Sequence, residues 1–197
     1  MTITPLGMVI ALLVVAVLIG AVVTYMRHRH SAELRSRYGS EYDNAVREAG
    51  GTYKGETLLH EREKRVARFR IIPLSERRRA EFVTTWQDVQ ARFVDDPAGA
   101  VARADVLLGE VMRERGYPVT DFEQRSADLS VDHPEVVQNY RAGHDIALRH
   151  GRGEASTEEL RQAMIHYRAL FDDLVNEPVD GEQHERVANL KKEKIRD

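Results

Sequence analysis

The sequence predicts an all-α protein: an N-terminal transmembrane helix, a charged linker helix, and a small antiparallel bundle of four helices plus a short one. Three observations predict it. Residues 1–26 hold no Asp, Glu, Lys or Arg, so every charged side chain lies in the remainder. From residue 76 onward, apolar residues recur at helical spacing between capping residues and Pro or Gly stops. No stretch alternates with period two over enough residues to demand a strand, and Ile71-Ile72 is the one short candidate.

The chain has 197 residues, 29 Lys+Arg against 32 Asp+Glu, and no cysteine. That length suits one domain with an appendage and excludes a large multidomain enzyme. Without cysteine there is no disulfide framework, thiolate metal site, iron–sulfur cluster or cysteine nucleophile. A net charge of −3 gives no whole-chain reason to expect nucleic acid as a partner. The charge is unevenly spread: residues 27–70 carry a net +4 and residues 71–197 a net −7.

The expected transmembrane helix covers residues 6–26, LGMVIALLVVAVLIGAVVTYM. As a helix its 21 residues rise about 31 Å, close to the hydrocarbon thickness of a bilayer. A cleaved secretory signal followed by secretion is the competing expectation. Against it stand an uncharged head, an apolar run beyond the usual length, and no small-x-small cleavage site before Arg27. Arg27, Arg29, Arg35 and Arg37 follow the run with only Glu33 opposing them. The positive-inside rule then places the chain as a single-pass protein of the cell membrane, N-terminus outside and body in the cytoplasm. The same four arginines are the expected membrane-surface contacts, toward the bilayer and its anionic headgroups. Ala16, Gly20 and Thr24, four residues apart, put small side chains on one face against which a second helix can pack.

Residues 27–72 are expected to form a basic, charged helical linker, broken at Gly39-Ser40 and Gly50-Gly51. Its part over 55–70 has only a thin apolar stripe and reads as a solvated helix. The bundle domain is expected over 73–178. Ser75 introduces a helix to about residue 94, with Phe82, Val83, Trp86, Val89, Phe93 and Val94 on one stripe. Asp96 caps the next, Pro97 fits its first position, and Gly116 ends it. Thr120 and Glu123 have capping-box spacing for a short helix to about Leu129. Asp132-His133-Pro134 restarts the chain for a helix over 134–149. Ser156 and Glu159 form a second capping box, and the helix after it carries the cleanest period, from Leu160 to Val175. Glu177-Pro178 stops it, and residues 179–197 read as a polar mobile tail.

Chemistry is thinly signalled. His144 sits beside the apolar stripe of its helix, His150 is out of phase with it, and His166 flanks the last stripe. The spacings HExxH and ExxH are absent, so no metal and no cofactor is nominated. Asp95-Asp96 and Asp172-Asp173 are adjacent pairs, which on a helix point about 100° apart and seldom share a proton. GxSxG, GxxxxGK[ST] and GxGxxG are missing, and no catalytic residue is nominated. Trp86, the sole tryptophan, reads as a core residue.

The segments RSRYGSEYDNAVREAG (35–50), WQDVQARFVDDPAGAVARADVLLGEVMRERGYPV (86–119) and DFEQRSADLSVDHPEVV resemble an uncharacterised family of bacterial proteins with one N-terminal span. The resemblance covers roughly residues 6–175. It implies a bacterial origin and an anchored helical domain, and it transfers no activity.

These readings lead to a membrane-anchored helical interaction or scaffold module, whose cytoplasmic bundle binds a protein partner or self-associates as a homo-oligomer. The alternative is an undescribed enzyme or small-ligand binder that uses buried carboxylates or His144 inside the bundle. That alternative expects a polar cavity with shifted titrating groups.

Overall fold

The computed structural model describes residues 5–118 and 120–176, and they form eight helices and no strand. The chain divides into two compact units, residues 1–59 and 60–197, and the division falls within a helix. The expected tail over 179–197 lies outside the described residues.

The first unit holds α1 (Pro5–Tyr38), α2 (Ser40–Ala49) and the first half of α3 (Thr52–Val66). Its small core is Tyr38, Tyr42, Ala45 and Leu59, with Leu34, Val46 and Leu58 packed on it. Gly55 makes the close approach of α3 to α2 achievable, since a Cβ there would lie 2.7 Å from the Val46 backbone.

Among the described residues no helix is long and apolar enough to cross a membrane. This corrects the expected transmembrane helix over 6–26. It also corrects the single-pass placement in the cell membrane, with the N-terminus outside and the domain in the cytoplasm. The apolar run does not end its own helix: α1 continues through Arg29, Arg35 and Arg37 to Tyr38.

The second unit contains α4 (Glu76–Arg92), α5 (Pro97–Glu114), α6 (Phe122–Asp132), α7 (Val137–Gly151) and α8 (Thr157–Asn176). Local chemistry sets most of their starts. Ser75 Oγ accepts from the Arg78 N–H, and Asp96 Oδ1 accepts from the Gly99 N–H at 2.9 Å. Ser156 and Glu159 complete their capping box in both directions: the Ser156 N–H donates to Glu159 Oε2, and the Glu159 N–H donates to Ser156 Oγ. The expected box at Thr120 does not form. Asp121 caps α6 instead, accepting from the Gln124 N–H at 2.8 Å, because a carboxylate one position later is the stronger acceptor. A turn over 134–136 delays α7 to Val137.

α8 is the centre of this unit and packs on α7, α5 and α4. Its stripe of Leu160, Ala163, Tyr167, Leu170, Phe171 and Leu174 is buried, as the period requires. Trp86 of α4 stacks on Phe171 with centroids 4.6 Å apart, which places it in the core. Gly143 of α7 faces Tyr167, and a Cβ there would lie 2.6 Å from the ring, so the α7–α8 crossing depends on its bare backbone.

The stretch expected to be a solvated helix is tied into this core. Arg62 is buried and donates to Ser130 Oγ, and Arg65 pairs with buried Asp128 at 2.7 Å. Beyond α3 the chain runs along the end of α5: the Ile72 N–H donates to the Arg115 carbonyl, and buried Arg115 donates to the Leu174 carbonyl.

Candidate functional site

The feature best placed for recognition is a groove of about 190 Å³ on the bundle surface, between the end of α4 and the middle of α8. Gln90, Phe93, Arg161, Met164, Ile165 and Arg168 line it. Ile165 is 48 % exposed, and Val94, next to Phe93, is 84 % exposed. The helix stops at Arg92, so Val94 leaves the stripe on which its spacing had placed it. Arg161 and Arg168 are seven residues apart, two turns or about 10.5 Å of helix. Each is held by an exposed neighbour, Glu158 at 2.6 Å and Asp172 at 3.3 Å. Exposed pairs of this kind are worth only about 0.2–1 kcal/mol, so a better acceptor can displace them.

A second feature is a polar cluster inside the bundle. Asp105 of α5 faces Arg125 of α6 at 3.8 Å, and the Arg125 guanidinium lies 5.9 Å from the Tyr140 ring centroid. Tyr140 and Tyr167 adjoin with centroids 6.0 Å apart. Asp105 Oδ1, Arg125 Nε and both tyrosine hydroxyls are buried, and none makes a hydrogen bond of ordinary geometry. Burial, then the Asp105 charge, pushes both tyrosines far above the usual phenol range. His144 stacks on Phe122, centroids 3.5 Å apart, and burial pushes its imidazole below the usual histidine value.

A third cluster was not legible in the sequence. His133, read there only as part of a restart, is a buried hub: its Nδ1 meets the Asp173 carboxylate and its Nε2 lies 3.2 Å from the Tyr117 hydroxyl. Tyr117 donates to Asp132 at 2.8 Å. The adjacent Asp172 and Asp173 therefore serve different partners, Arg168 and His133. His150 and His166 also take structural partners, the Ala155 carbonyl and Asn139 Oδ1. Among the described residues no group of three or more His, Asp or Glu gathers to hold a metal ion.

The first unit carries a pocket of about 280 Å³ lined by Thr24, His28 and Ser31 of α1 and by Thr52, Tyr53 and Glu56 of α3. Glu56 Oε1 accepts from Ser31 Oγ at 2.6 Å and from Tyr42 Oη at 2.9 Å. Burial first, then the Glu56 carboxylate, raises the Tyr42 phenol.

The residues singled out in the sequence scatter around these features. Arg35 reaches Asp43 at 3.1 Å and lies over the Tyr42 ring, Arg37 lies over the Tyr38 ring, and Arg29 is exposed. Gly20 faces open space, and Thr24 Oγ1 donates to the Gly20 and Ala21 carbonyls. The side chains of Ala16 and Arg27 lie outside the described residues. Sequence reasoning missed the groove. The signal that points to it is Ile165, an isoleucine standing off the otherwise regular stripe of its helix.

Comparison with known proteins finds no matching family model, no matching curated protein and no matching solved structure.

Proposed function

We propose that this chain is a helical interaction module whose bundle docks an amphipathic helix of a partner protein in the α4–α8 groove. The observation that carries the reading is the groove itself, lined by Phe93 at the end of α4 and by Met164, Ile165, Arg161 and Arg168 of α8. An apolar floor recognises the apolar stripe of an incoming helix. Arg161 and Arg168, two turns apart, match carboxylates spaced i and i+7 on the partner and fix its register. No covalent chemistry is needed, and the function is assembly.

The test is site-specific photo-crosslinking of the full chain in its own cells, with the probe at Val94 or Ile165. The expected product is one defined adduct whose attached peptide is amphipathic and acidic, lost on Arg161→Glu/Arg168→Glu substitution. An adduct to a second copy of this chain would replace the partner by self-association. Diffuse labelling that ignores the arginine substitutions would reject the groove.

A second reading, a small-ligand binder within the bundle, is favoured by the four buried polar atoms of the Asp105, Arg125, Tyr140 and Tyr167 cluster. It expects native mass spectrometry to find a polar adduct that Tyr167→Phe removes. A chain of bare mass would dismiss it.

A further inference from the structure

We infer that the pocket of the first unit, between α1 and α3, binds a small organic cation, an alkylammonium or guanidinium group, through Glu56 and Tyr53.

Glu56 is half-buried, and its Oε1 takes both nearby hydroxyl protons, from Ser31 and Tyr42. Its Oε2 takes none, and no lysine or arginine pairs with it among the described residues. A carboxylate held in place by two donors, with one oxygen still open, is a prepared acceptor for N–H groups. Among the described lining residues there is no lysine or arginine, and His28 is the one basic side chain beside Glu56.

Shape and surface narrow the ligand further. The volume of about 280 Å³ is just below the usual range for small-molecule pockets, roughly 300–1,000 Å³, so the guest is small. Tyr53, 75 % exposed, brings an aromatic ring to the same pocket as the carboxylate. A ring beside a carboxylate favours an organic cation, which gains from the π face while donating to the oxygen. The methyl groups of Thr24 and Thr52 suit a short alkyl arm. A metal ion is the poorer guest, because one carboxylate leaves most of its coordination sphere to water.

The test uses the full chain and n-butylammonium chloride, followed by ligand-observed NMR, with n-butanol and butyrate as neutral and anionic controls. Saturable binding of butylammonium alone is expected. Glu56→Gln weakens it roughly tenfold or more. Tyr53→Ala, at an exposed position that does not threaten folding, weakens it several-fold, whereas Tyr53→Phe retains it. Equal binding of butanol, the absence of saturation, or affinity unmoved by both Glu56→Gln and Tyr53→Ala would overturn the assignment. None of these outcomes bears on the groove of the second unit.

Discussion

Arg65 Nε lies 2.7 Å from the Asp128 carboxylate, a pair joined across 63 positions of sequence, and the two partners differ in their access to water. Asp128 is 2 % exposed and Arg65 is 37 % exposed. Removing one partner therefore differs from removing the other. Arg65→Met leaves a buried carboxylate with Gln124 as its neutral donor among the described residues, and costs about 3 kcal/mol. Asp128→Asn leaves an arginine that can turn to solvent, and costs about 1 kcal/mol. Urea unfolding of the full chain by circular dichroism reads both values. Equal losses would show that the carboxylate is not desolvated as described.

The α7–α8 crossing yields a second prediction. Gly143→Ala gains about 1 kcal/mol of helix propensity in isolation. In the bundle its Cβ meets the Tyr167 ring at 2.6 Å, and overpacking of this kind costs about 1–3 kcal/mol. A net lowering of the urea midpoint is expected, with partial recovery in Gly143→Ala/Tyr167→Leu. A midpoint at or above the parent value would mean that the two helices sit further apart.

The start of α8 makes stability depend on pH. Hydrogen bonds from the Ser156 backbone N–H, then from Arg149, hold the Glu159 carboxyl down to about 2, against an ordinary value of 4.5. A carboxyl depressed in the folded state stabilises fully above the unfolded value and loses that contribution as pH falls toward the folded one. The difference in unfolding free energy between the parent and Glu159→Gln should therefore hold steady near neutrality. It should shrink as pH falls from 4.5 toward 2. A difference that survives unchanged to the acid end would remove the carboxylate from the capping box.

His133 offers a coupling test. Its two ring nitrogens bridge Tyr117 and Asp173, which stand on separate parts of the chain. A double-mutant cycle with His133→Gln and Asp173→Asn should give a coupling of about 1 kcal/mol, moderated because Asp173 is partly exposed. Additive losses would separate the two side chains.

What the sequence makes legible follows from range. Ser75, Asp96 and the Ser156-Glu159 box act within three residues, so spacing alone reveals them, and the stripe from Leu160 to Val175 is buried as its period requires. Thr120 misleads because Asp121, one step on, is the better acceptor. Arg62, Arg65 and His133 could not be placed, since their partners lie 68, 63 and 40 positions away. A charge run reads as solvated until a distant carboxylate is brought against it. The apolar run over 6–26 reads as a span from its length, yet its helix runs on through the arginines, and no described helix is long and apolar enough to cross a membrane. The groove is not legible in the sequence because Val94 fits a stripe that its helix abandons two residues earlier.

Charge exchange is the sharpest test of the proposal that the α4–α8 groove takes an acidic amphipathic helix. With the crosslinked helix synthesised as a peptide, its affinity for the full chain is measured by fluorescence anisotropy. The parent chain is compared with Arg161→Glu/Arg168→Glu, and the native peptide with one whose facing carboxylates are replaced by lysine. Binding lost by the first change and restored by the two together is the predicted result. Affinity indifferent to both would contradict it.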